Sequence, residues 1–158
     1  MTTDYNKKRH LELLDERSRG DTSNKDELLR YSVMLSDQLD WEIRDQYVSL
    51  MENFVNGTIG MYEFLHELQR INYSVMDASL LLQKHKILLS VDKRASKFAD
   101  LLEYVTSELQ VDPSSSYTAE EFQNMIQEFL IPMKTYLNEV CWNEENEDSG
   151  IQEGLEGG

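Results

Sequence analysis

Residues 52–64 read ENFVNGTIGMYEF, and the fold turns on this stretch. Gly57 sits at its centre, Ile59 follows two residues on, and Glu63-Phe64 opens a new apolar series, so its second half has the outline of the end of an EF-hand calcium loop. With Gly57 at the sixth loop position, the ligand positions fall on Glu52, Phe54, Asn56 and Glu63. Phe54 offers no side-chain oxygen, and the preceding residues continue a helical apolar series. The stretch therefore reads as a helix-turn-helix corner. Asn56 and Gly57 take left-handed backbone angles cheaply and end one helix, while Ile59 and Phe64 turn inward.

Upstream of the corner, Leu28, Tyr31, Leu35, Leu39, Ile43, Tyr47, Leu50 and Phe54 recur in steps of three and four. That spacing predicts one long helix from about Lys25, bent near Asp40-Trp41. Downstream, Met61, Phe64, Leu65 and Leu68 predict a second helix over about residues 60–71. Asn72-Tyr73-Ser74 reads as a link to a third helix, whose stripe is Leu81, Leu88, Val91, Ala95, Phe98, Leu102, Val105 and Leu109, with Ser90 able to cap a restart. Residues 111–116, VDPSSS, read as a loop because proline has no N–H and serines compete for backbone bonds. Thr118 and Glu121 then form a capping box. A fourth helix follows, with Phe122, Ile126, Phe129, Met133, Leu137 and Val140 inward, a kink at Pro132, and Cys141 packed at the end of the stripe.

The chain of 158 residues has 40% hydrophobic content, two prolines and seven glycines. It has the size of one domain and a composition that favours helices. The predicted fold class is all-α: an antiparallel four-helix up-down bundle over residues 24–142. Residues 1–23 are expected to be a charged, mobile arm. Residues 143–158 are expected to be a disordered acidic tail, since residues 139–158 carry seven acids and no base.

Net charge is −15. Such a body repels phosphate backbones, which excludes direct nucleic-acid binding and makes a basic protein the natural complement. No apolar run reaches the ~18–20 residues needed to span a bilayer, no secretory leader pattern opens the chain, and the single cysteine makes no internal disulfide. The expected location is the cytoplasm, and no membrane partner is expected.

Chemistry-bearing motifs are few. Glu63-Phe64-Leu65-His66 is one Glu-x-x-His pair, but a di-iron bundle needs a second pair and two more glutamates. Cys141 has no histidine after it to serve as a nearby base. Neither a phosphate loop nor a nucleophile elbow is present. The reading is a non-enzyme with no metal and no cofactor. Lys84, Lys86, Lys93, Arg94 and Lys97 gather base on the third helix and are read as a solvated face that pairs with neighbouring carboxylates or the acidic tail. The acidic residues of the first two helices remain, and Glu42, Asp45, Glu52, Glu63 and Glu67 are the candidate partner-binding residues.

The pattern Tyr47-x6-Phe54-x2-Gly57-x-Ile59-x3-Glu63-Phe64, together with Tyr117-Thr118-Ala119-Glu120-Glu121-Phe122-x3-Ile126, resembles the colicin D-type self-protective immunity proteins of bacteria. The likeness runs over about residues 28–140, and this chain adds an arm and an acidic tail. The resemblance implies a small acidic helical bundle that binds the nuclease domain of a toxin and blocks its active site. A structural or assembly subunit of a larger complex is the alternative.

Overall fold

The computed structural model describes the backbone of residues 4–109 and 117–156 and the side chains of residues 4–107 and 117–141. All regular structure among them is helical: α1 Lys7–Ser18, α2 Lys25–Glu42, α3 Arg44–Val55, α4 Met61–Lys84, α5 Arg94–Leu109 and α6 Ala119–Glu156. The main core is drawn from α3, the first half of α4, α5 and α6, closed by Trp41 at the end of α2. Packed pairs are α2 with α5 and α4, α3 with α6 and α4, and α5 with α6, while α1 lies on α2.

The 52–64 stretch forms the corner that joins α3 to α4. Gly57 has φ of 78°, and the Thr58 and Ile59 N–H groups both donate to the Asn53 carbonyl. Phe54 and Phe64, on either side of the turn, stack at 4.6 Å between ring centroids. An added Cβ at Gly57 meets nothing within 4 Å. Gly57→Ala is therefore expected to cost about 1 kcal/mol, the left-handed backbone alone, read as a small drop in urea midpoint with unchanged slope.

The boundaries of the first three expected helices differ at three places. The first long helix breaks at Ile43, with φ of −108° and ψ of 22°. Arg44 donates to the Trp41 carbonyl at 2.8 Å and lies 4.1 Å over the indole, while the Tyr47 hydroxyl donates to Asp40 at 2.6 Å. The break brings Trp41 and Tyr47 into one core, which a straight helix would not do. In contrast, α4 runs unbroken through Asn72-Tyr73-Ser74. Asn72 accepts from the Tyr47 hydroxyl at 3.4 Å and does not cap a new turn. The expected third helix is instead interrupted at residues 85–93, where Lys86 has φ of 56° and Asp92, not Ser90, accepts the Arg94 N–H at 2.9 Å.

Residues 1–23, expected as a mobile arm, are corrected by α1. His10, Leu13 and Leu14 are buried, and the two leucines form a second core with Leu28 and Tyr31. The Asn6 side chain caps the helix, Arg9 pairs with Glu27, and Lys86 pairs with Asp15. Leu13 and Leu14 bury little alone and gain their burial from the α2 surface. At the other end, α6 continues to Glu156 where a disordered tail was expected. Extending a helix already nucleated and packed costs little per residue when glutamate and glutamine supply many of the positions. The capping box starts α6 as expected, with Glu121 N–H to Thr118 Oγ1 at 3.1 Å and Thr118 N–H to Glu121 Oε1 at 3.3 Å. The expected loop at residues 111–116 lies outside the described residues.

Candidate partner-binding site

Two kinds of helix contact exist in this fold. Where α3 to α6 meet, the buried part of the contact is apolar. Where α2 meets the second half of α4, it is a polar ladder of short side chains: Ser32 donates to Gln83 Oε1 at 2.7 Å, Ser36 to Ser79 at 3.1 Å, and the Gln83 amide to Ser79 at 3.1 Å. Small serines let the two helices approach closely. Their small side chains also leave the outer ridges standing clear on either side, so a groove of about 370 Å³ runs above the ladder.

The groove walls are apolar and open to solvent. Leu29 and Val33 of α2 are 63% and 50% exposed, and Met76 and Leu80 of α4 are 49% and 61% exposed. Tyr73 and Tyr62, both exposed, extend the α4 ridge toward its N-terminus at helical spacing. Single exposed apolar residues are ordinary, but a run of them lining one concave surface marks an interaction site.

One end of the groove is acidic. Asp40 and Asn72 line it there. Burial pushes the Asp40 carboxyl up to about 6, against the opposing effect of the Tyr47 hydroxyl bond. Asp37, one turn earlier on α2, is pushed up to about 7 by burial and then by the charges of Asp40, Asp100 and Glu103. Among the described residues no ion pair neutralises any of these four carboxylates. The fold thus holds like charges from α2 and α5 together with no counterion among the described residues.

The sequence-predicted site residues do not gather at one place. Glu42 and Asp45 are exposed on either side of the α2–α3 break. Glu52 lies in a polar cleft between α3 and α6 and pairs with Lys134 at 2.8 Å. Glu67 pairs with Arg70 at 2.9 Å on the same helix. Glu63 is exposed in the first turn of α4, as is His66 one turn on. The basic cluster divides: Lys86 holds α1 through Asp15, and Arg94 binds Asp92 while lying over Trp41. Cys141 is exposed, correcting the expected packing role. Among the described residues no cluster of three or more histidines, cysteines or carboxylates could hold a metal, and no helix is long and apolar enough to cross a membrane.

Leu29, Val33, Met76 and Leu80 escaped the sequence reading because they fall off the main apolar stripes. That off-phase position was itself the available signal. No family model matches the chain, and neither a curated protein nor a solved structure does.

Proposed function

We propose that this protein is a non-enzymatic, acidic helical binding protein, most concretely an immunity-type inhibitor that occupies the basic surface of a nuclease toxin domain. The observation that carries this reading is the carboxylate group Asp37, Asp40, Asp100 and Glu103, held together by α2 and α5 at near-neutral pKa for Asp37 with no ion-pairing cation among the described residues. A lysine- or arginine-rich partner supplies that cation, and the overall charge of −15 speeds the encounter. Lysines and arginines placed to hold phosphates are such a partner surface. Glu42 and Asp45, unpaired among the described residues beside the same end of α2, add to the field. The bundle of α3 to α6, with its corner at Gly57, serves this function as a rigid four-helix, up-down scaffold.

The test is capture of proteins from native extract on the tagged full chain, washed at low and then high salt. The expected result is a basic nuclease that elutes with salt, loses its RNA cleavage when the chain is added, and binds the Glu42→Lys/Asp45→Lys variant about tenfold more weakly through slower association. Affinity equal at both salt concentrations would count against the reading. A second reading, an assembly subunit, is favoured by the exposed apolar walls at Leu29, Val33, Met76 and Leu80. It requires a multi-protein complex retained through high salt, because apolar burial is not screened.

A further inference from the structure

We infer that the α2–α4 groove is the seat of a helical segment of the partner, amphipathic in pattern, with leucine-like anchors along one face and a lysine or arginine at the end that reaches Asp40 and Asp37. This deepens the binding reading above and rests on it for the partner's basic character.

The shape supports a helix as the occupant. Between Leu29 and Asp40 the α2 wall spans about three turns, roughly 16 Å. A short helix laid between two ridges buries anchors at steps of three, four and seven. The walls supply apolar contact through Leu29, Val33, Met76 and Leu80, all about half exposed or more. The floor needs nothing from a ligand, because Ser32, Ser36, Ser79 and Gln83 satisfy one another. Recognition is therefore by apolar walls and a charged end.

Charge selects among the possible occupants. A second copy of the chain brings a net −15 to a groove that already ends in carboxylates. The chain's own C-terminal segment brings seven acids and no base within residues 139–158. Both place like charge beside Asp40, which lines the groove, and Asp37 next to it. A cationic helix meets opposite charge at that end and apolar surface along the rest.

The experiment uses the full chain and a synthetic helix of about 16 residues, leucine on one face and lysine on the other, followed by amide shift mapping and fluorescence anisotropy. A scrambled peptide of equal composition is the control for charge alone. Expected are shifts concentrated in residues 29–40 and 72–83, affinity at least tenfold above the scrambled peptide, and at least tenfold loss in Val33→Asp and in Leu80→Asp with their thermal midpoints unchanged. Asp37→Asn is expected to flatten the salt dependence. Equal binding of both peptides, or groove variants that bind like the wild type, overturns the groove. If in that case Glu42→Lys/Asp45→Lys still weakens binding, the basic-partner reading survives the loss of the groove. Absence of salt-dependent binding to either peptide removes both. Because Val33 and Leu80 are exposed in the free protein, loss of fold is not the expected cause of a weak variant, and circular dichroism of each checks it.

Discussion

Replacing Phe64 by alanine is expected to lower the unfolding free energy by about 3–5 kcal/mol. Phe64 is fully buried and joins three helices through its ring. It stacks on Phe54 of α3 at 4.6 Å with 15° between planes, and meets Phe122 of α6 edge-on at 6.1 Å. Phe54 and Phe122 close the triad at 5.4 Å. Truncation removes the apolar area of a phenyl ring and leaves a cavity whose walls are themselves rings, which collapse poorly. Domains of this kind have about 5–15 kcal/mol in total, so the loss is a large share and a part of the population unfolds at ambient temperature. Phe64→Leu keeps most of the volume and is expected to lose about 1 kcal/mol. Urea denaturation followed by circular dichroism measures both. A loss below about 1 kcal/mol for the alanine variant would show that the triad is not tightly packed, and with it the corner that orients α4.

The triad also shows which parts of the fold a reader of the sequence can reach. Phe54, Gly57, Phe64 and Phe122 carry their structural meaning locally: a stripe, a left-handed turn, and a capping box at Thr118 and Glu121 that starts the helix bearing Phe122. Other features depend on contacts that exist only once the chain has folded. The break at Ile43 is set by Arg44 and by Asp40 with Tyr47, whose interactions arise only after the chain has bent. Asn72 looks like a link and is a mid-helix acceptor for Tyr47. Leu13 and Leu14 look too few to bury a helix, and they suffice because Leu28 and Tyr31 wait on α2. His10 beside them is fully buried, stacked on Tyr31 and hydrogen-bonded through Nδ1 to the Tyr5 hydroxyl at 2.6 Å, while its Nε2 makes no hydrogen bond although the Gln83 amide lies nearby.

For the candidate site, the acidity of the chain was legible and the grouping of its carboxylates was not. Glu42, Asp45, Glu52, Glu63 and Glu67 are spread over separate surfaces, and two of them are paired internally. The carboxylates that have no ion-pair partner among the described residues are Asp37 and Asp40 with Asp100 and Glu103, residues about sixty apart in the chain and brought together by the packing of α2 on α5. Spacing within one helix carries no information about such a meeting.

That meeting has a thermodynamic signature, and Asp37→Asn is expected to expose it. Folding raises the Asp37 carboxyl from its usual value to about 7 and that of Asp40 to about 6. With the folded value above the unfolded one, the native state holds more protons than the unfolded state between about pH 4 and 7, so stability falls as pH rises through that window. His10 acts in the opposite sense: burial lowers its pKa, and stability falls as pH drops below the ordinary histidine value of about 6.5. Two carboxyls outweigh one imidazole, so stability keeps rising as pH falls until the paired acids begin to titrate, which places the optimum at about pH 4–5. Below about pH 4 the paired acids Asp15, Glu27 and Asp92, whose pKa values folding lowers, withdraw their contribution. The full displacement of Asp37 would correspond to about 4 kcal/mol, but the carboxyl keeps partial contact with water, and screening reduces the realised cost to about 1–2 kcal/mol. Asp37→Asn removes that cost and is expected to raise the thermal midpoint at about pH 8 by about 3–6 °C while leaving it near wild type at about pH 4. Calorimetric scans of both proteins across this range decide the matter. A gain that persists at the lower pH would place its origin in packing instead of ionisation, and a loss at the higher pH would mean that Asp37 already has a favourable partner. Such a partner would leave the acidic end of the groove without its need for an incoming cation.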